Sequence, residues 1–297
     1  MVKTIEDKRT RSGIEIQVPE SYKGLEERML ATLYDRLAPY PKAKKTAELI
    51  LADKEVNGSW DMSDYMAVEK LGYNDHGDTH AIITAAFASQ IVGLLLDSGY
   101  TPDAAEPPGD RGDSMLVTVA GALLHDIGNQ VHRRNHPLFG AVLAAPILGR
   151  LLSQVYGDAE RAAEMSGMIL HAIYSHEAGT PSLTDEASAV AIADGCDMFK
   201  GRGRMPFDAG NVNIHTVSAL SISDIRVERG EEKPVRIVVD MENSAGIFQV
   251  EELLAKKVET GTLRDKVEIV ATAVPEGGSD RRIVSSISYG GGRFTPL

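Results

Sequence analysis

The chain has 297 residues, 43% apolar and 25% charged, which suits one large hydrophobic core or a main domain with a smaller companion. Its 43 acidic against 31 basic residues give a formal charge of −12, which excludes general binding along extended nucleic acid but leaves room for a small phosphorylated substrate at a local metal cluster. Cys196 is the single cysteine, so there is no intrachain disulfide and a reducing compartment is expected.

Residues 1–20 read as a loosely fixed arm with a short strand at Ile14–Val18, and the charged start lacks an apolar signal core. From Ser21 the pattern is helical. LEERMLATLYDRLA (25–38) repeats its apolar positions at helical spacing until Pro39 and Pro41, and KAKKTAELILAD starts a second helix. YNDHGDTH (73–80) reads as a loop, with Asp78 or Thr79 placed to cap a helix that runs to about Leu96. The stretch Ala81 to Leu96 is the most apolar in the chain, and Ser89, Gln90 and Gly93 interrupt it. No membrane span is therefore expected, and a cytoplasmic location is. A polar loop at 98–114 leads to helical patterns at 115–128, 136–155, 158–175 and 186–200.

After Gly210 the texture changes. VSALSISDIRVE (217–228) alternates apolar and polar residues, and PVRIVVDME, KVEIVATAV and RRIVSSIS are β-rich, with helical spacing in IFQVEELLAKKVE (247–259) between them. The expected fold class is mainly α: a helical bundle over 21–210, then a small C-terminal α+β domain over 211–297 in the order strand, strand, helix, strand, strand. The glycine-rich end, YGGGRFTPL (289–297), opens no helix and reads as a flexible tail. The domain's role stays open between oligomerisation (a homo-oligomer), ligand sensing and capping an active site.

The run GALLHDIGN (121–129) joins His125 to Asp126, while His80, His136, His171, His176 and Asp194 stand in other helical stretches. A lone histidine on an apolar helix is usually structural; the ordered set is what a buried metal centre requires. Imidazole nitrogen and carboxylate oxygen suit divalent transition ions, and one carboxylate can bridge two. His171 and His176 are five apart, a poor spacing for one helix face, so a helix end near Tyr174–Ser175 or unequal distances from the metal are expected. Asp197 reads as orienting a ligand or capping a helix, Glu177 as orienting His176 or moving a proton, Cys196 as a small core residue, and His76 and His132 as surface or supporting residues.

On these motifs the chain resembles the HD superfamily of metal-dependent phosphohydrolases over roughly residues 70–205, with an all-helical fold implied. THAIITAAFASQIVGLLL matches the family's first histidine opening a helix, His125-Asp126 its signature pair, and AIADGCDMF its closing aspartate. HPLFGAVLAAPIL (136–148) and ILHAIYSHE (169–177) resemble the multi-histidine subgroup typified by HD-GYP proteins. EAGTPSLTDE (177–186) stands where that subgroup carries Gly-Tyr-Pro, and this speaks against cyclic di-GMP hydrolysis.

The resemblance implies one ion on His80, His125, Asp126 and Asp194, with Asp126 bridging to a second on His136, His171 and His176. The two would be divalent transition ions (Mn, Fe, Co, Ni or Zn). The implied activity is cleavage of a phosphomonoester or phosphodiester, nucleotide-like, by a hydroxide activated between the ions, with His125 and Asp126 at its centre. Arg133 and Arg134, then Lys200, are the nearest basic groups for substrate. A di-iron oxygenase of the same fold, and a nucleotide-binding sensor without turnover, are the alternatives.

Overall fold

Leu25, Met29, Leu33 and Leu37 are spaced one helical turn apart and are all buried, so a single stripe seats α1 (Glu20–Leu37) on the core. The computed structural model describes residues 4–9, 15–199, 218–273, 286–290 and 293–296. Ahead of α1, β1 (Thr4–Arg9) and β2 (Glu15–Pro19) pair antiparallel. The strand expected near residues 14–18 thus has a partner, in the charged run TIEDKR, which shows no strand pattern of its own.

Pro41 opens α2 (Pro41–Ala52), and Asp53 caps α3 (Lys54–Asp64) by accepting from the Glu55 and Val56 amides at 3.0 and 3.2 Å. A π-helical turn, Tyr65–Lys70, continues α3. Then follow α4 (Asp78–Asp97), α5 (Arg111–Leu124), α6 (His136–Leu152), α7 (Ala159–Tyr174) and α8 (Asp185–Cys196). The cap of α4 differs from expectation: Gly77 holds the N-cap position, and Asp78 accepts from the next amide instead.

Helix α4 is apolar around nearly its whole circumference. By length and composition it could cross a membrane, yet 89% of its apolar window is buried inside the fold, where it packs on α1, α5 and α8. It is the central helix of the bundle. Around it, α5 meets α2, α7 and α8, and α6 lies on α7.

The C-terminal unit is a five-stranded sheet in the order β3-β4-β5-β6-β7: Ile222–Arg229, Val235–Met241, Val267–Ala273, Ser286–Gly290 and Arg293–Pro296. Only β4 and β5 run parallel, and such a pair needs a crossover. Helix α9 supplies it, running from Ile247–Gln249 through the π-helical Val250–Ala255 into Lys256–Thr260. Buried and half-buried residues alternate along β4 and β5, so one face carries the core. Within the end read as a flexible tail, Arg293–Pro296 form β7, which pairs antiparallel with β6. Strands β3 and β4 touch α4, and α9 rests on α8. The sheet is thereby fixed beside the end of α8 where Asp194 sits.

Candidate metal centre

Five helix ends meet at one buried spot. Helix α5 stops at Leu124, so His125 and Asp126 lie in the turn that follows and are free of the roughly 100° separation of consecutive helical residues. Behind that turn, Trp60 Nε1 donates to the Leu123 carbonyl at 3.1 Å and Ser63 Oγ to the Asp126 carbonyl at 3.2 Å, so α3 holds the pair in place. In front of it, a Cβ on Gly128 would stand 2.0 Å from the His136 carbonyl oxygen and 2.4 Å from the Gly140 amide nitrogen. Glycine is required there, and it lets the first turn of α6 bring His136 against Asp126. His80 comes from the first turn of α4 and Asp194 from the last turn of α8. His176 follows the end of α7 at Tyr174, which is where the five-residue spacing of the two histidines predicts a helix end.

Each ring is anchored by Nδ1. His125 Nδ1 donates to the Ala122 carbonyl at 2.7 Å, His176 Nδ1 to the Ile173 carbonyl at 2.7 Å, His136 Nδ1 to the Arg133 carbonyl at 2.9 Å, and His80 Nδ1 to Asp197 Oδ2 at 2.6 Å. Carbonyl and carboxylate oxygens only accept, so each Nδ1 carries the proton and each Nε2 presents a lone pair inward. These lone pairs meet in two couples: His80 and His125 Nε2 lie 3.0 Å apart, as do His136 and His176 Nε2. Two lone pairs at that distance repel unless a cation lies between them.

Asp126 sits between the couples. Its Oδ2 lies 3.4 Å from both His80 and His125 Nε2, while Oδ1 lies 3.1 Å from His136 and 3.7 Å from His176. Asp194 Oδ1 joins the first couple, 3.2 Å from His80 and 3.8 Å from His125. Such spacings match donors around one ion with bonds of about 2.1 Å. Among the described residues, His80 with His125 and Asp194, and His125 with Asp126 and His176, are groups whose donor atoms converge closely enough to hold an ion, and His136 Nε2 stands against the second of them.

The protonation states fit. Burial pushes the Asp126 carboxyl up, but the imidazoles of His125, His76 and His136 around it outweigh burial and hold the group well below the usual carboxylate range. Burial likewise opposes Asp194, where Lys257 and His80 prevail. Burial first, then His125 and His136, drive His176 well below the ordinary imidazole value. Ionised Asp126 and Asp194 and a neutral His176 are the forms a divalent ion requires.

Other residues fall as follows. His171 is not in the centre: its Nε2 accepts from the Leu183 amide at 2.9 Å, because the last turn of α7 points it away while the bend at Ser175 turns His176 inward. Asp197 orients His80, as its place after Asp194 suggests. Arg133 Nη1 lies 3.0 Å from His136 Nε2, and its Nη2 donates to Glu177 Oε1 at 3.1 Å. Glu177 Oε1 stands 3.7 Å from His136 Nε2, nearer that ring than its sequence neighbour alone would suggest. Arg134 is exposed and takes no part in the cleft, and Lys200 lies outside the described residues. Cys196 is a buried core residue whose thiol is pushed up by burial and by Asp194 and Asp197.

A cleft of about 410 Å³ opens beside Asp194, with Arg133 and Glu177 on one side and Gln249 and Lys257 of α9 on the other. The sequence alone does not show Lys257, which binds Asp194 Oδ2; His76, read from sequence as a surface or supporting residue, is buried with its ring 5.8 Å from that of His80.

A family model for the HD domain matches residues 77–198, a span that holds every residue of the cluster except His76 and Lys257. The chain belongs to the HD-domain superfamily. Members of that superfamily are typically metal-dependent hydrolases. The chain is also 43% identical over 228 residues to an uncharacterized protein of Methanocaldococcus jannaschii, covering 76% of this chain and 88% of that one. No solved structure matches. The HD match ends at residue 198, so α9, which supplies one wall of the cleft, lies beyond it, as does the C-terminal sheet.

Proposed function

We propose that this HD protein is a phosphohydrolase with a dinuclear metal centre, cleaving a phosphomonoester or phosphodiester of nucleotide-like size. One ion would be held by His80, His125, Asp126 and Asp194, and the other by Asp126, His136 and His176. The observation that carries this reading is the pair of facing Nε2 couples, each 3.0 Å apart, on the two sides of the Asp126 carboxylate. Bound divalent ions would supply an acidified water as nucleophile and neutralise charge on the phosphate.

The chain's own residues have separate tasks. Asp197 and the carbonyls of Ala122, Ile173 and Arg133 hold the four imidazoles in one tautomer. Arg133 brings a guanidinium to the second couple and to the cleft, where its planar fork suits phosphate oxygens. Glu177, held by Arg133, is placed to take up or return a proton at Oε1. The cleft volume of about 410 Å³ lies near the small end of ligand pockets, which favours a mononucleotide-sized substrate. The test is phosphate release by chelator-stripped protein reloaded with Mn, Fe, Co, Ni or Zn, over a panel of phosphoesters. Turnover that needs added metal supports the proposal. Oxygen consumption by the iron-loaded protein without any phosphoester turnover overturns it.

A further inference from the structure

Lys257 is the one lysine whose head reaches the metal cluster among the described residues, and it comes from outside the span matched by the HD family model. Its Nζ donates to Asp194 Oδ2 and, at 3.1 Å, to the His176 carbonyl. The residue is only 8% exposed, and an ammonium so placed must have partners of this kind. Asp194 offers Oδ1 to His80 and His125, so Lys257 takes the oxygen that the histidines leave. A carboxylate anchored at both oxygens cannot swing about its last torsion.

The packing around Lys257 brings it close. A Cβ on Gly195 would stand 3.2 Å from Lys257 Cδ and 3.3 Å from Leu254 Cα, so the residue after Asp194 has no room for more than glycine without a shift. At the far end of α9, a Cβ on Gly261 would stand 2.1 Å from Ser188 Oγ. Two glycines thus let α9 lie close along α8. The π-helical Val250–Ala255 serves the same end. In a regular α-helix, residues four apart drift roughly 40° around the axis. The wider π turn counters that drift, and Gln249, Leu253 and Lys257 all face the cleft.

We infer that Lys257 is a positioning residue for Asp194, and that the first ion site is complete only with α9 seated on α8. The inference rests on the dinuclear reading above. The C-terminal unit is then part of the metal centre as well as a wall of the cleft.

The test titrates chelator-stripped full-length protein with Co²⁺, following visible absorption and chelator competition. His80→Ala identifies which spectral component belongs to the first site. Lys257→Met should weaken that component on the order of 10- to 100-fold, with a much smaller change at the second site. The direction is diagnostic, because removing a positive charge without disturbing Asp194 would tighten cation binding. Unchanged or tighter binding overturns the inference, and so does equal weakening at both sites, which would mark Lys257 as a general support of the fold. Should Lys257→Met not fold, Lys257→Gln, which keeps a donor on a shorter stem, is titrated in the same way and the same selective loss is expected; unchanged affinity there overturns the inference. Wild-type protein that takes up no Co²⁺ overturns the dinuclear reading itself, and this inference with it.

Discussion

His136 Nε2 stands 3.1 Å from Asp126 Oδ1, the carboxylate oxygen that faces away from His80 and His125. This approach brings the two histidine couples onto one carboxylate, and it depends on a turn tight enough to place the start of α6 beside the end of α5. Asn129 helps by donating to the same Oδ1 at 2.8 Å, which limits rotation of the carboxylate.

Asp126→Ala removes the one group shared by both couples. Metal content per chain should fall from two ions to near none, read by elemental analysis after gel filtration. Turnover should fall on the order of a thousandfold, the upper end for loss of one charge-stabilising group. Retention of one full ion would show that the two sites do not share Asp126.

His171 and His136 should behave oppositely. His136→Ala removes a donor of the second couple and should cost one ion per chain. His171→Ala removes only an acceptor for the Leu183 amide, so both ions should stay and stability should drop by about 0.5–1.5 kcal/mol. Loss of an ion in His171→Ala would restore His171 as a ligand.

His125-Asp126, His80, His136 and Asp194 were legible because motif order survives without knowledge of packing. His171 was misread for a local reason: residues on either side of a helix end can face opposite ways, and sequence spacing does not say which one turns inward. Helix α3 escaped notice because its buried face is partly polar, with Ser59, Ser63 and Asp64 beside Val56 and Trp60, so hydrophobic periodicity fades there. Lys257 carried no signal at all, since its role arises from the docking of α9 on α8. The strands of the C-terminal unit were plain in the alternation of VRIVVDM and VEIVATA, whereas β7 follows a glycine run that reads as coil.

Glu186 makes stability depend on pH away from the metal cluster. Burial pushes its carboxyl up to about 7 from 4.5, against bonds from the Ser114 hydroxyl and the Ala104 amide, and among the described residues Oε2 meets no donor. The fold therefore keeps a proton that the unfolded chain releases from pH 4.5 upward. Its stabilising share is full below that value, declines as pH rises and is gone above about 7. Glu186→Gln cannot ionise, so its stability relative to wild type should rise between pH 5 and pH 8, by at most about 3 kcal/mol at 1.36 kcal/mol per pH unit. Denaturant melts at both pH values check this, and an equal difference at the two would rule it out.

Gly128→Ala tests whether the close approach of two backbones makes the second ion site. The added methyl would fall 2.0 Å from the His136 carbonyl oxygen and 2.4 Å from the Gly140 amide nitrogen, both of them backbone atoms of α6 that no rotamer change can clear. Helix α6 must move out, and His136 moves with it. His80, His125 and Asp194 come from α4, the end of α5 and α8, so the first couple is not carried along. The expected outcome is a loss of about 1–3 kcal/mol in stability, as for overpacking elsewhere, together with one ion lost per chain and one retained. Elemental analysis beside a denaturant melt separates the possibilities: two ions retained would mean that α6 accommodates the methyl without moving His136, and none retained would mean that the turn also sets the first site.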